Sequence, residues 1–163
     1  MIGNDVIDLT LVNQESNWKR KGFLQKLFTA SEQQRILKSA NPSQMVWILW
    51  SIKESVYKAN LRMDYNRGFY PTKIKVKSII FRNQKYHSVI VLNNHTFFAK
   101  TKTTNLSIHT IAAHSEVGVT NIVLLDNATL YTKNTNGIPF ELHSQKEVSV
   151  SHHGKYKQII GFK

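Results

Sequence analysis

Apolar positions change period once along this chain, from helical in its first third to alternating in the rest. Between Met45 and Leu61 the spacing is helical, placing Trp47, Trp50, Glu54, Tyr57, Lys58 and Leu61 on one face. The turn Met45–Trp50 is apolar all round, which predicts a buried helix. Asn41 as cap and Pro42 at the first position open it, and it is expected to run to about Leu61. Upstream, Ile2–Leu9 reads as a short strand, with Asp5 on the side of Ile7 and Leu9 and Asp8 on the side of Val6. Trp18–Lys26 reads as a short basic helix. Thr29 and Glu32 fit a capping box, and the helix they open ends near Lys38–Asn41.

Beyond a turn at Asn66–Pro71 the character becomes β. Lys73–Ile79 alternates, lysines outward and Ile74 and Val76 inward. Further strands are predicted at Tyr86–Leu92, Thr96–Lys102, Ser107–His114 and Thr120–Leu125, with Asn93-Asn94 turning one hairpin. The polar loop Thr132–Gly137 leads to Ile138-Pro139-Phe140. The last strands, Glu147–His152 and Tyr156–Phe162, are joined through His153-Gly154. Helices early and strands late predict an α+β fold, early helices packed on an antiparallel sheet, rather than a parallel α/β sheet. No repeat or linker interrupts residues 1–163, which read as a single domain.

Two carboxylates stand out against this pattern. Glu54 sits in apolar company, where a charge must be paired, protonated or bound to a metal. Lys58, one helical turn on, is a candidate partner, so a stabilising ion pair and a functional site both satisfy the pattern. Asp5 lies on the apolar side of its strand and needs a partner too, unless it caps a turn.

Composition narrows the partners. Twenty-two Lys and Arg against ten Asp and Glu give a net charge of +12, which favours an anionic ligand: nucleic acid, a phosphorylated cofactor or an acidic protein. There is no cysteine, so disulfides and thiolate ligands are excluded. No basic leader precedes an apolar stretch at the start, and no apolar run approaches the roughly 20 residues of a membrane span. The expectation is a cytoplasmic protein without a membrane partner.

Histidines do not make a metal site by spacing. His109 and His114, five apart on a strand, face opposite sides, and the adjacent His152 and His153 diverge. No glycine cluster precedes a helix, so no nucleotide loop of the Walker or dinucleotide type is present. Lys73, Lys75 and Lys77 lack interleaved aromatics, and a solvated edge accounts for them better than nucleic acid does. Asp5 and Glu54, brought together from strand and helix, are a common way to hold Mg²⁺ against a phosphorylated substrate, with Lys58 as a phosphate contact.

With these residues in view, the motifs Ile2-Gly-Asn-Asp5, Phe28-Thr-Ala-Ser-Glu32, Trp50-Ser-Ile-Lys-Glu-Ser55 with Lys58, Asn136-Gly-Ile-Pro-Phe140 and Val148-Ser-Val-Ser-His152 resemble the 4'-phosphopantetheinyl transferases. Their order is similar to that of the short, holo-acyl-carrier-protein-synthase-like branch. The resemblance implies the fold of that family and Mg²⁺-dependent transfer of the phosphopantetheine arm from coenzyme A to a serine of an acidic acyl or peptidyl carrier protein, in fatty acid or polyketide biosynthesis. It implies Asp5 and Glu54 as metal ligands, and Lys58 together with Lys53 as phosphate contacts. Glu54 or a metal-bound water would take the serine proton, and Pro139, Ser151 and His152 would line the nucleotide end of the cofactor site.

The chain also departs from the family. Ile7 stands where larger members carry a second acid, Ile138 replaces a basic residue between Gly137 and Pro139, and His153 follows His152. Residues 82–131 exceed the short branch and resemble closing strands of the longer one. The long branch assembles its cleft from two similar halves of one chain; this sequence has one copy of each motif. The resemblance therefore implies a homo-oligomer with the cleft between subunits, a trimer, or a monomer if the 82–131 segment covers the exposed edge. The alternatives are a non-catalytic coenzyme A and carrier-protein binding module of the same fold and, below it, a basic nucleic-acid-binding domain.

Overall fold

The computed structural model describes residues 1–64 and 68–163. β1 (Ile2–Asp8) leads into helices α1 (Leu9–Glu15), α2 (Phe23–Leu27), α3 (Ala30–Lys38) and α4 (Pro42–Asn60). A 3₁₀ turn at Pro71–Lys73 opens β2 (Lys75–Arg82), β3 (Lys85–Leu92), β4 (His95–Thr103) and β5 (Ser107–Ala113). The chain ends in α5 (Glu116–Thr120), β6 (Ile122–Leu125), β7 (Tyr131–Lys133), β8 (Pro139–Glu141), β9 (Val148–His153) and β10 (Tyr156–Phe162). Asn66 and Arg67 of the expected turn lie outside the described residues.

The antiparallel sheet and early helices are as expected, with local differences. Leu9 opens α1 instead of extending the strand, because the Asp8 side chain caps that helix, accepting from the amides of Thr10 and Leu11 at 3.0 and 3.3 Å. The capping box forms: Glu32 accepts from Thr29 N–H and Thr29 Oγ1 from Glu32 N–H. The basic helix expected at Trp18–Lys26 is confined to α2. Elements not expected from the sequence are the helices α1 and α5 and the small β7–β8 hairpin.

The large sheet has strand order β1-β5-β4-β3-β2, all neighbours antiparallel, with Asp5 opposite Thr110. One face is covered by α4. Contact there is close at Gly3, where an added Cβ would fall 2.0 Å from the Ser55 carbonyl oxygen, so no larger residue fits. Ile7, Ile52, Val56, Phe97 and Ile108 fill the core between them. The other face of β1 and β5 meets the small sheet, ordered β6-β10-β9, around a second core of Ile2, Ala113, Val119, Ile122 and Ile160.

Side chains complete the remaining edge of β1. The N–H groups of Ile2, Asn4, Val6 and Asp8 donate to Glu147, Ser149, Ser151 and His153 at 2.9, 3.1, 2.9 and 2.9 Å. Arg62 and Lys58 donate to the carbonyls of Ile2 and Asn4, each at 2.8 Å. Alternate residues of β9 thus supply acceptors to alternate amides of β1, as the two-residue period of a strand allows. This leaves no sheet edge for another chain to extend at β1.

Candidate functional site

β1 and α4 cross so that Asp5 meets Glu54 and Lys58. Lys58 Nζ is 3.7 Å from Asp5 Oδ1 and is fixed by the Asn4 carbonyl. Burial pushes the Asp5 carboxyl above the ordinary aspartate range, while Lys58 and the nearby Ser51 and Ser151 hydroxyls pull it back. The Ser51 hydroxyl itself donates to the Asp5 backbone carbonyl at 3.4 Å and not to the carboxylate. Burial, then the Asp5 charge, pushes Glu54 up to about 7 against the opposing effect of Lys58. The Trp50 and Tyr57 rings that flank Glu54 on its helix both pack on Phe69, with centroids 5.6 and 5.0 Å apart.

Asp5 is held by one oxygen only. Its Oδ1 accepts from the Ser151 hydroxyl at 3.2 Å, whereas Oδ2 is buried with no hydrogen-bond partner among the described residues. A buried, unpartnered carboxylate oxygen beside a second carboxyl is costly unless a proton or cation joins them. This pair therefore fits a hard divalent cation with oxygen ligands. Among the described residues no third His, Cys, Asp or Glu completes a cluster, and Ile7, two residues after Asp5, is buried in the core.

Lys53 is not brought to this cluster, which corrects the expectation of a phosphate contact. Adjacent helical residues do not share a face. Its side chain is fully buried on the other flank of α4, where Nζ meets Glu32 Oε2 at 2.8 Å and the carbonyls of Pro71 and Ile74 at 2.7 and 2.6 Å. The second Glu32 oxygen accepts from Val76 N–H at 2.9 Å. Lys53 and Glu32 thus bind the start of the large sheet to α3 and α4.

Lys58 also lines a cleft of about 290 Å³ together with Pro139 and His152, so the structure brings these three residues to one place. Ser151 is not on its wall. It is buried between β1 and β9, where its hydroxyl accepts from Val6 N–H and donates to Asp5, so its expected place at the nucleotide end is corrected. Arg62 and Lys133 line the cleft as well, making it cationic. The sequence held a signal for Arg62, since it continues the spacing of Glu54 and Lys58 by one further turn. Arg62 also donates to the Val148 carbonyl and pairs with Glu147, which ties the end of α4 to β9.

All of this occurs within one chain. The bond from Ser151 to Asp5 and the cleft shared by Lys58 and His152 bring the Lys-Glu helix and the Ser-His strand together within this chain.

A model of the 4'-phosphopantetheinyl transferase superfamily matches residues 1–114. Among solved structures, the chain is similar to Helicobacter pylori holo-[acyl-carrier-protein] synthase in complex with coenzyme A, at 18% identity and a TM-score of 0.54, over 71% of this chain and 100% of that one. It is also similar to Thermotoga maritima holo-[acyl-carrier-protein] synthase, at 13% identity and a TM-score of 0.48, over 98% of this chain and 81% of that one. No curated protein matches the chain. The Helicobacter likeness shows the shared α+β fold. The family match ends after β5, so the positions of Pro139, Ser151 and His152 rest on the structure. No helix among the described residues is long and apolar enough to cross a membrane.

Proposed function

The chain belongs to the 4'-phosphopantetheinyl transferase superfamily, and from that premise we propose that it is a cytoplasmic transferase of the holo-acyl-carrier-protein-synthase type. Its co-substrate is coenzyme A, which the Helicobacter protein carries in its structure, and its acceptor is a serine of an acidic carrier protein. The serine oxygen bonds to the phosphorus that bears the pantetheine arm. The bridging phosphorus–oxygen bond breaks, and the nucleotide 3',5'-diphosphate leaves with that electron pair.

The observation that carries this reading is the half-buried Asp5–Glu54 pair with a buried, unpartnered Asp5 oxygen, beside Lys58 at the mouth of a cationic cleft. Asp5 and Glu54 would hold Mg²⁺, which when bound neutralises charge on the pyrophosphate and on the leaving group. Glu54, whose carboxyl is raised to about 7 in the metal-free protein and would fall once a cation binds, is the side chain proposed to take the serine proton. Lys58 is positioned by the Asn4 carbonyl to meet the pyrophosphate. His152 and Pro139 would receive the nucleotide end, and the +12 net charge suits both anionic partners. One chain suffices to build the cleft in this reading, whether or not copies associate.

The test is mass spectrometry of a purified acyl carrier protein after incubation with the chain, coenzyme A and Mg²⁺. A gain of one phosphopantetheine on the carrier serine is expected, and it is lost with Glu54→Gln. Coenzyme A binding without any such gain would leave a binding module and sink the transferase reading.

A further inference from the structure

The second core, between the large and small sheets, is not filled to its end. Beside Ile122 and Ile160 the two sheets leave a groove of about 230 Å³. One wall comes from the outer face of the large sheet, where Lys102 lies opposite His109 and Lys100 opposite Ile111. The other wall comes from β6 and β10, where Leu124 pairs with Ile160. Ile160 is fully buried, yet Leu124 is 62% exposed, so the apolar floor continues into open space.

The charge on this groove is of one sign. Lys85, Lys100 and Lys102 line it and no carboxylate does. None of the three is in an ion pair among the described residues, and the only hydrogen bond of their ammonium groups there runs from Lys100 to Thr120 Oγ1 at 3.1 Å. His109 adds no charge near neutral pH, since burial, then Lys58 and Lys102, pushes it down to about 4. Lysine stems often cover apolar surface by themselves, but here they leave Leu124 bare. Three cations beside an apolar trough call for a ligand with an anionic head and an apolar tail. The volume falls below the range of sites that take drug-sized ligands, which suits a ligand with a short tail.

We propose that this groove binds a small anionic amphiphile, with a carboxylate or phosphate head among Lys85, Lys100 and Lys102 and a short alkyl tail along Ile111, Leu124 and Ile160. The groove opens on the face of the large sheet opposite α4, so it is separate from the Asp5–Glu54 site, and the inference does not depend on the transferase reading.

Calorimetric titration of the full chain with octanoate, octyl phosphate and octanol tests this. Saturable binding of one or both anions is expected, with octanol weaker by about tenfold or more, since bonds to a charged head contribute that much. Tighter binding of octanoate or of octyl phosphate identifies the head group. Lys102→Glu and Leu124→Ser alter exposed side chains and are expected to weaken the anion by a similar factor, through head and tail respectively, with coenzyme A affinity unchanged. No saturation by either anion up to about 1 mM would overturn the proposal, as would equal binding of octanol. Indifference to both substitutions, or binding of an acidic amphipathic peptide in place of the octyl anions, would also overturn it.

Discussion

The Ser151 hydroxyl bonds two groups of β1 at once: it donates to Asp5 Oδ1 at 3.2 Å and accepts from Val6 N–H at 2.9 Å. The first bond fixes the carboxylate so that Oδ2 is the oxygen left free. The second ties the strand to β9 next to that carboxylate. Ser151→Ala is therefore expected to lower divalent-cation affinity about ten- to hundredfold, as loss of a residue that orients a ligand does. It also strands a buried amide, at a cost of about 1–3 kcal/mol. Manganese binding followed by electron paramagnetic resonance and denaturant unfolding read the two effects separately. Unchanged cation affinity with lowered stability would leave Ser151 a purely structural residue.

Glu54 should make the metal-free protein less stable as pH rises. Its folded pKa of about 7 lies above the ordinary 4.5, so its contribution is fully present below about 4.5 and lost as pH passes through about 7. The full effect is at most about 3 kcal/mol. Asp5, also raised, acts in the same direction. His109 acts oppositely: its pKa is lowered to about 4, so its contribution is present above about 6.5 and lost as pH falls through about 4. Subtracting the Glu54→Gln profile from that of the wild type isolates the glutamate. The difference is expected to fall from pH 5 to pH 7.5 in thermal unfolding, and Mg²⁺ should restore stability more at the upper end. A flat difference would remove the raised carboxyl from the argument.

Lys53 and Glu32 form a buried pair whose loss should affect folding rather than catalysis. Removing one partner leaves the other charge unpaired, and for Lys53→Met the expected cost is about 3–5 kcal/mol. The carbonyls of Pro71 and Ile74 also lose their donor. At a temperature where the variant stays folded, KM for coenzyme A should match the wild type. A raised KM with unchanged stability would return Lys53 to the phosphate site.

The contrast between Lys53 and its neighbour Glu54 shows how far the sequence was legible. Helical spacing alone places Glu54 and Lys58 together and excludes Lys53 from their face, yet the family resemblance placed both lysines at the phosphates. Asp5 and the Lys-Glu helix were readable because each follows from local period, whereas the close approach of Gly3 to Ser55 was not. The junction of β1 with β9 was not. Glu147, Ser149, Ser151 and His153 do alternate visibly, but their partners are amides far away in sequence, and amides carry no side-chain signature. The helix α5 and the β7–β8 hairpin are too short for periodicity to reveal.

Lys58 and His152 share one cleft but should differ in their effects. Lys58 sits beside the carboxylate pair, where charge changes during transfer, so Lys58→Ala is expected to lower kcat as well as affinity. His152 lies on the exposed side of β9, at the end assigned to the nucleotide. His152→Ala should mainly raise KM for coenzyme A, with little change for dephospho-coenzyme A, which lacks the 3'-phosphate. Strong discrimination between the two cofactors by His152→Ala would displace this residue from the phosphate.

Mixing two impaired variants, assayed at a coenzyme A concentration well below the KM of His152→Ala, separates a cleft built in one chain from one shared between chains. If Glu54 and His152 acted from different subunits, combining Glu54→Gln with His152→Ala would regenerate some intact sites. The structure argues otherwise: Ser151, the neighbour of His152, bonds Asp5 of its own chain, and Arg62 and Lys58 link α4 to that same junction. Every site in the mixture then carries one lesion or the other. Transfer activity is expected to equal the average of the two variants at every mixing ratio, including after joint unfolding and refolding. Activity above that average would mean that His152 reaches the Glu54 of another copy, and that copies exchange β9 or juxtapose their clefts in solution.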